Sequence, residues 1–69
     1  MLVQDREKIG ATLRKLRGEK PQSEVAAALG VTSMAVSQYE RGERVPNDDM
    51  KIRIATYYQK SVEELFFAH

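Results

Sequence analysis

The side chains with the most to offer chemically lie between positions 33 and 41, and their chemistry is hydrogen bonding rather than bond making. Ser33, Ser37 and Gln38 supply donors and acceptors, Arg41 a guanidinium, and Met34 a polarisable thioether. Glutamine can hold adenine through N6 and N7, serine can reach bases or phosphates, and an exposed methionine suits a thymine methyl. Each of these residues would be equally ordinary on a solvated surface, so position must decide. Covalent and metal chemistry have little to build on. The chain has no cysteine, and its one histidine, His69, is the last residue. An enzyme, a metal site and a cofactor are therefore not expected.

The elements that must position these residues read as helices. Ile9, Leu13 and Leu16 draw an apolar stripe on a first helix of roughly residues 5–17, with Asp5 as cap and Gly18 as stop. Val25, Ala26 and Leu29 mark a second helix, roughly 21–29, with Pro21 in its first turn. Gly30 breaks it, and Thr32 caps a third helix that runs to about Arg41 and stops at Gly42. Pro46 and Asn47 restart the chain in a fourth helix to about Tyr58. The Ser61-x-x-Glu64 capping box then opens a short fifth helix. The fold class expected is all-α, a five-helix domain in which helices two and three form a helix-turn-helix across Leu29-Gly30-Val31-Thr32.

Turning the third helix by 100° per residue sorts its faces. With Val36 pointing to the core, Tyr39 and Glu40 follow it inward, while Met34, Ser37, Gln38 and Arg41 point away and Ser33 sits at the exposed start. No bulky apolar group blocks that outer face, so it could enter the major groove of a duplex. An inward carboxylate needs a partner, and Arg17, at the end of the first helix, suits Glu40 through a two-pronged grip.

Sixty-nine residues make a single domain, 1–69, with a small core. No apolar run reaches the length of a membrane span or signal peptide, so a soluble, cytoplasmic protein is expected. The net charge is only +1, but its distribution is uneven. Arg6, Lys8, Arg14, Lys15, Arg17 and Lys20 gather early, and Arg41, Arg44, Lys51 and Arg53 later, enough to form a positive face. The aromatics fit a core or an interface better than base stacking. Leu65 and Phe66 are expected to close the core, leaving Phe67 as the candidate dimer contact.

The ordered series from Ile9 to Phe66 resembles the Cro/repressor-type helix-turn-helix family, the XRE-like proteins. The residues that carry it are Leu13 to Arg17, Gln22, Val25-Ala26, Leu29-Gly30-Val31-Thr32 and Val36-Ser37-Gln38-Tyr39-Glu40-Arg41-Gly42. Pro46, Ile54-Ala55 and Ser61-Val62-Glu63-Glu64-Leu65-Phe66 complete it. The resemblance implies five helices and binding of double-stranded DNA, with Ser33, Met34, Ser37 and Gln38 at base-reading positions. It implies phosphate contacts at Gln22, Thr32, Arg41 and Arg44, and a structural pair between Arg17 and Glu40. Two departures stand out: Lys20-Pro21-Gln22 is about two residues shorter than usual and lacks a Ser or Thr cap, and Gln59-Lys60 replaces a common glycine and apolar residue.

A single reading helix sees only a few base pairs, at ~1–3 kcal/mol per good contact. That is too little to outcompete the roughly million or more other sites in a genome. Two copies on half-sites about 34 Å apart supply the difference. The function expected is a transcriptional regulator, a repressor by preference, acting as a homodimer with no small-molecule ligand evident. The alternative is an antitoxin-like or accessory module that uses the same fold to hold a protein partner.

Overall fold

A computed structural model describes residues 5–67; His69 and the first four residues lie outside them. The described residues are all-helical, without a strand, in the order α1 (Arg6–Arg17), α2 (Gln22–Leu29), α3 (Ser33–Glu40) and α4 (Asp48–Tyr58), followed by a five-residue π-helical turn (Glu63–Phe67).

Each boundary has a local cause. Asp5 Oδ1 accepts from the amides of Glu7 and Lys8 at 3.1 Å each, satisfying two orphan donors of α1. Thr32 Oγ1 accepts from Ala35 N at 3.1 Å to open α3, and Asn47 Oδ1 accepts from Met50 N at 2.8 Å to open α4. The start of α2 is the exception. Pro21 stands at its cap position and contributes no side-chain bond. Its C-terminus closes on Gly30 in the left-handed region, where Val31 N reaches back to Ala26 O at 3.0 Å. At the end of α4 the same left-handed role falls to Gln59 (φ 58°), the position where a glycine would be cheaper.

The last element differs from the α-helix expected. Ser61 and Glu64 do form the reciprocal box, with Ser61 N on Glu64 Oε1 and Glu64 N on Ser61 Oγ, both at 3.0 Å. Hydrogen bonding from the Ser61 amide, and secondarily from the Ser61 side chain, holds the Glu64 carboxyl below its usual range. The turn that follows is wound as a π-helix. Adjacent Leu65 and Phe66 both face inward, 6% and 3% exposed.

The core takes Ile9 and Leu13 from α1, Val25, Ala26 and Leu29 from α2, and Ala35, Val36 and Tyr39 from α3. Ile54 and Ala55 of α4, with Leu65 and Phe66, close it. Leu16 is only partly buried and packs on its edge. The tightest approach is between α1 and α3, where Gly10 lies against the backbone of Tyr39 and Glu40.

Lys51 departs from the expected positive face. It is buried, with Nζ 5.7 Å from the centre of the Phe66 ring, 5.2 Å from that of Phe67, and 3.9 Å from Asp48 Oδ1. Arg53 is also engaged, on Asp49 at 3.3 Å and on the carbonyl of Leu29 at 3.5 Å. Both basic residues of α4 are therefore engaged within the fold. No helix among the described residues is long and apolar enough to cross a membrane.

Candidate nucleic-acid interface

The helix-turn-helix is built from α2, the turn at Gly30–Thr32, and α3. Ala35, Val36, Tyr39 and Glu40 bury the inner face of α3. Met34 projects into solvent, 68% exposed, and Thr32, Ser33 and Arg41 are exposed with it. Ser37 and Gln38 are half-buried, at the edge of the outer face. The helix thus presents a surface of small polar groups with one thioether at its leading end.

Behind that surface lies a charged network. Arg17 Nε donates to Glu40 Oε2 at 2.7 Å and Arg17 Nη2 to Glu40 Oε1 at 3.0 Å, the two-pronged arrangement a planar guanidinium favours. Arg17 Nη1 donates to the carbonyl of Lys20 at 2.6 Å, tying the end of α1 to the approach to α2. Gln22 Nε2 donates to Glu40 Oε1 at 3.0 Å. The Glu40 side chain is 4% exposed and that of Arg17 16%, so the pair is largely shielded from water. The hydrogen bond to Glu40 raises the Arg17 pKa, against an opposing effect of burial. Tyr58 is pushed up to about 12, mainly by burial and further by the Glu40 carboxylate, and remains a neutral phenol.

Three helices pin this network to the reading face: α1 through Arg17, α2 through Gln22 and α3 through Glu40. One bond links the first residue of α2 to the last of α3. The engagement of Gln22 with Glu40 was not visible in the sequence. Its amide nitrogen carries two hydrogens, so one remains after the bond to Glu40.

Gln22, Ser37, Arg17, Glu40 and Arg41 come together around one polar cleft, and Arg14 of α1 joins them there. Arg44 stands apart, its guanidinium 5.5 Å from the centre of the Tyr39 ring. Arg41 makes an exposed contact with Glu43 at 3.1 Å. Phe67 lies in a different environment, beside Lys51 and 40% exposed. Among the described residues no three His, Cys, Asp or Glu side chains are grouped to hold a metal ion.

A family model described as a helix-turn-helix matches residues 11–65. A search of curated proteins by sequence finds no significant match. Solved structures similar to the chain include two regulators. The P22 c2 repressor in complex with synthetic operator 9T in the presence of Tl+ superposes with a TM-score of 0.79 at 29% identity, over 83% of this chain and 89% of that one. The clp gene regulator ClgR from C. glutamicum superposes with a TM-score of 0.74 at 29% identity, over 87% of this chain and 80% of that one. The family match takes in the last part of α1, all of α2, α3 and α4, the glycine turn and the buried Arg17–Glu40 pair. The chain belongs to the Cro/C1-type helix-turn-helix family of DNA-binding transcriptional regulators.

Proposed function

We propose that the protein is a cytoplasmic repressor that acts as one domain, reading the major groove of double-stranded DNA with α3 and binding its operator as a homodimer. The observation that carries this reading is the outer face of α3. Ser33, Met34 and Arg41 are exposed on it and the half-buried Ser37 and Gln38 line its edge, and the Arg17–Glu40–Gln22 network behind it ties α3 to α1 and α2. The likeness to a repressor solved on its operator supports the same direction of docking.

In this mechanism Ser33, Met34, Ser37 and Gln38 face base edges. Gln22, Thr32, Arg41 and Arg44 hold the flanking phosphates and set the register. Thr32 contributes near the start of α3, where its hydroxyl already accepts from Ala35 N. Arg41 exchanges its weak surface contact with Glu43 for a phosphate. The second copy is needed for selectivity, with the two reading helices on half-sites about 34 Å apart on one face of a duplex. Phe67, exposed beside Lys51, is the side chain offered to the dimer contact.

Selection of bound duplexes from a random pool tests the reading as a whole. Two half-sites at a fixed helical spacing are expected; recovery of no preferred sequence at low salt would overturn it. Gln38→Ala is expected to cost ~1–3 kcal/mol of specific affinity and to relax base preference at one position of each half-site. A selected profile identical to the wild type's would remove Gln38 from the readout. Arg41→Ala is expected to weaken all sequences alike and to lower the slope of log K against log salt by about one. An unaltered slope in a fluorescence-anisotropy titration would take Arg41 off the backbone.

A further inference from the structure

The cleft between α1, the start of α2 and the end of α3 has a volume of about 180 Å3 and is lined by Arg14, Arg17, Gln22, Ser37, Glu40 and Arg41. Within it, Arg17 and Glu40 neutralise each other, and both Glu40 oxygens are already occupied by donors. Two cations remain on its rim. Arg14 is exposed and has no carboxylate within 4.0 Å among the described residues. Arg41 has only its solvent-exposed contact with Glu43. The same cleft is lined by Gln22, which keeps a second amide hydrogen, and by Ser37, whose hydroxyl has no side-chain partner among the described residues.

Two guanidinium groups, neutral donors and no available carboxylate make a setting for a compact oxyanion, and guanidinium suits phosphate geometrically as well as electrically. We infer that this cleft seats a single phosphate group, and that Arg14 of α1, outside the helix-turn-helix unit, is its second cation opposite Arg41. The inference rests on the DNA-binding reading for its main ligand, a phosphodiester of the duplex backbone next to the bases that α3 reads. It extends the interface to α1. Because Gln22 touches both the cleft and Glu40, the seated phosphate bears on the same buried pair that orients α3. A free phosphate offers the same chemistry, and the test separates the two sources.

Three proteins are compared with the wild type on one duplex and on a scrambled one across a salt series: Arg14→Gln, Arg41→Ala and the double variant. Arg14 is exposed, so unchanged thermal unfolding serves as the folding control. Arg14→Gln is expected to weaken both duplexes several-fold with base preference retained, and to lower the salt slope by less than the ~0.9 of a whole phosphate, because Arg41 still faces the same group. The double variant is expected to lose about one phosphate's worth of slope in total, since both arginines serve the same group. A duplex affinity for Arg14→Gln equal to the wild type's overturns the inference, and so does a slope loss of about two in the double variant, which would mean separate phosphates. In parallel, inorganic phosphate is titrated into the nitrogen-15-labelled protein without DNA. Shifts of the Gln22 side-chain amide that Arg14→Gln abolishes extend the seat to free phosphate; their absence beside the slope change confines it to the duplex backbone. If the wild type binds no duplex, the DNA reading fails by itself. The phosphate titration then decides the cleft alone, and a flat one overturns it.

Discussion

Gly10→Ala is expected to destabilise the protein by more than ~3 kcal/mol, the upper end of what overpacking costs, and so to remove a large part of its stability. Inside an exposed helix the same change would be favourable, by ~1 kcal/mol, because alanine restricts the unfolded chain and suits the helix. Here the sign reverses for a steric reason. A Cβ at position 10 would overlap the carbonyl oxygen of Glu40 and stand 2.8 Å from both the Glu40 carbonyl carbon and the Tyr39 oxygen. These are backbone atoms of α3, and no rotamer change moves them. The two helices must separate, and separation also stretches the Arg17–Glu40 grip that spans the same pair of helices. Against a total stability of roughly 3–10 kcal/mol for a chain of this size, such a loss is decisive. Urea unfolding followed by circular dichroism measures it. A midpoint equal to or above that of the wild type would mean that α1 does not lie against α3 as described.

This contact also shows where the sequence stops being legible. The caps at Asp5, Thr32, Asn47 and Ser61 could be read because an oxygen-bearing side chain and the amides two or three residues on form a local pair. The inward turn of Glu40, and the need for Arg17, followed from helical period and the cost of a buried charge. A glycine in mid-helix reads only as a weak point until the neighbouring backbone is in place, which is why Gly10 carried no signal. Lys51 was counted with the surface charges because its burial depends on where Phe66 and Phe67 point, and that follows from a π turn with no local mark in the sequence. Gln22 was placed on a phosphate by resemblance, but its bond to Glu40, 18 positions away, is a tertiary fact that periodicity cannot supply. Arg14 entered only as one charge among many; its place on the cleft with Gln22 and Arg41 needed the packing of three helices.

Arg17→Met is expected to cost about 3 kcal/mol, and the double change Arg17→Met with Glu40→Leu to restore most of it. The asymmetry comes from what each leaves behind. Methionine keeps much of the stem of Arg17 but removes three hydrogen bonds, two to Glu40 and one to the carbonyl of Lys20. The Glu40 carboxylate, 4% exposed, would keep Gln22 as its one side-chain donor, and a stranded buried charge costs ~3–5 kcal/mol. The 16% exposure of the Arg17 side chain admits some water and places the value at the lower end. With Glu40 also made apolar, no charge is stranded, and a well-packed apolar pair in place of a buried ion pair is close to neutral. Binding is expected to behave differently. The double variant leaves Gln22 without its anchor on α3 and frees α3 from its tie to the start of α2, so specific DNA affinity stays low although the fold has returned. Denaturation midpoints and duplex titrations on the single and double variants separate the two effects. If the double variant regained both stability and affinity, the buried pair would be a matter of folding alone, with no part in aiming the reading helix.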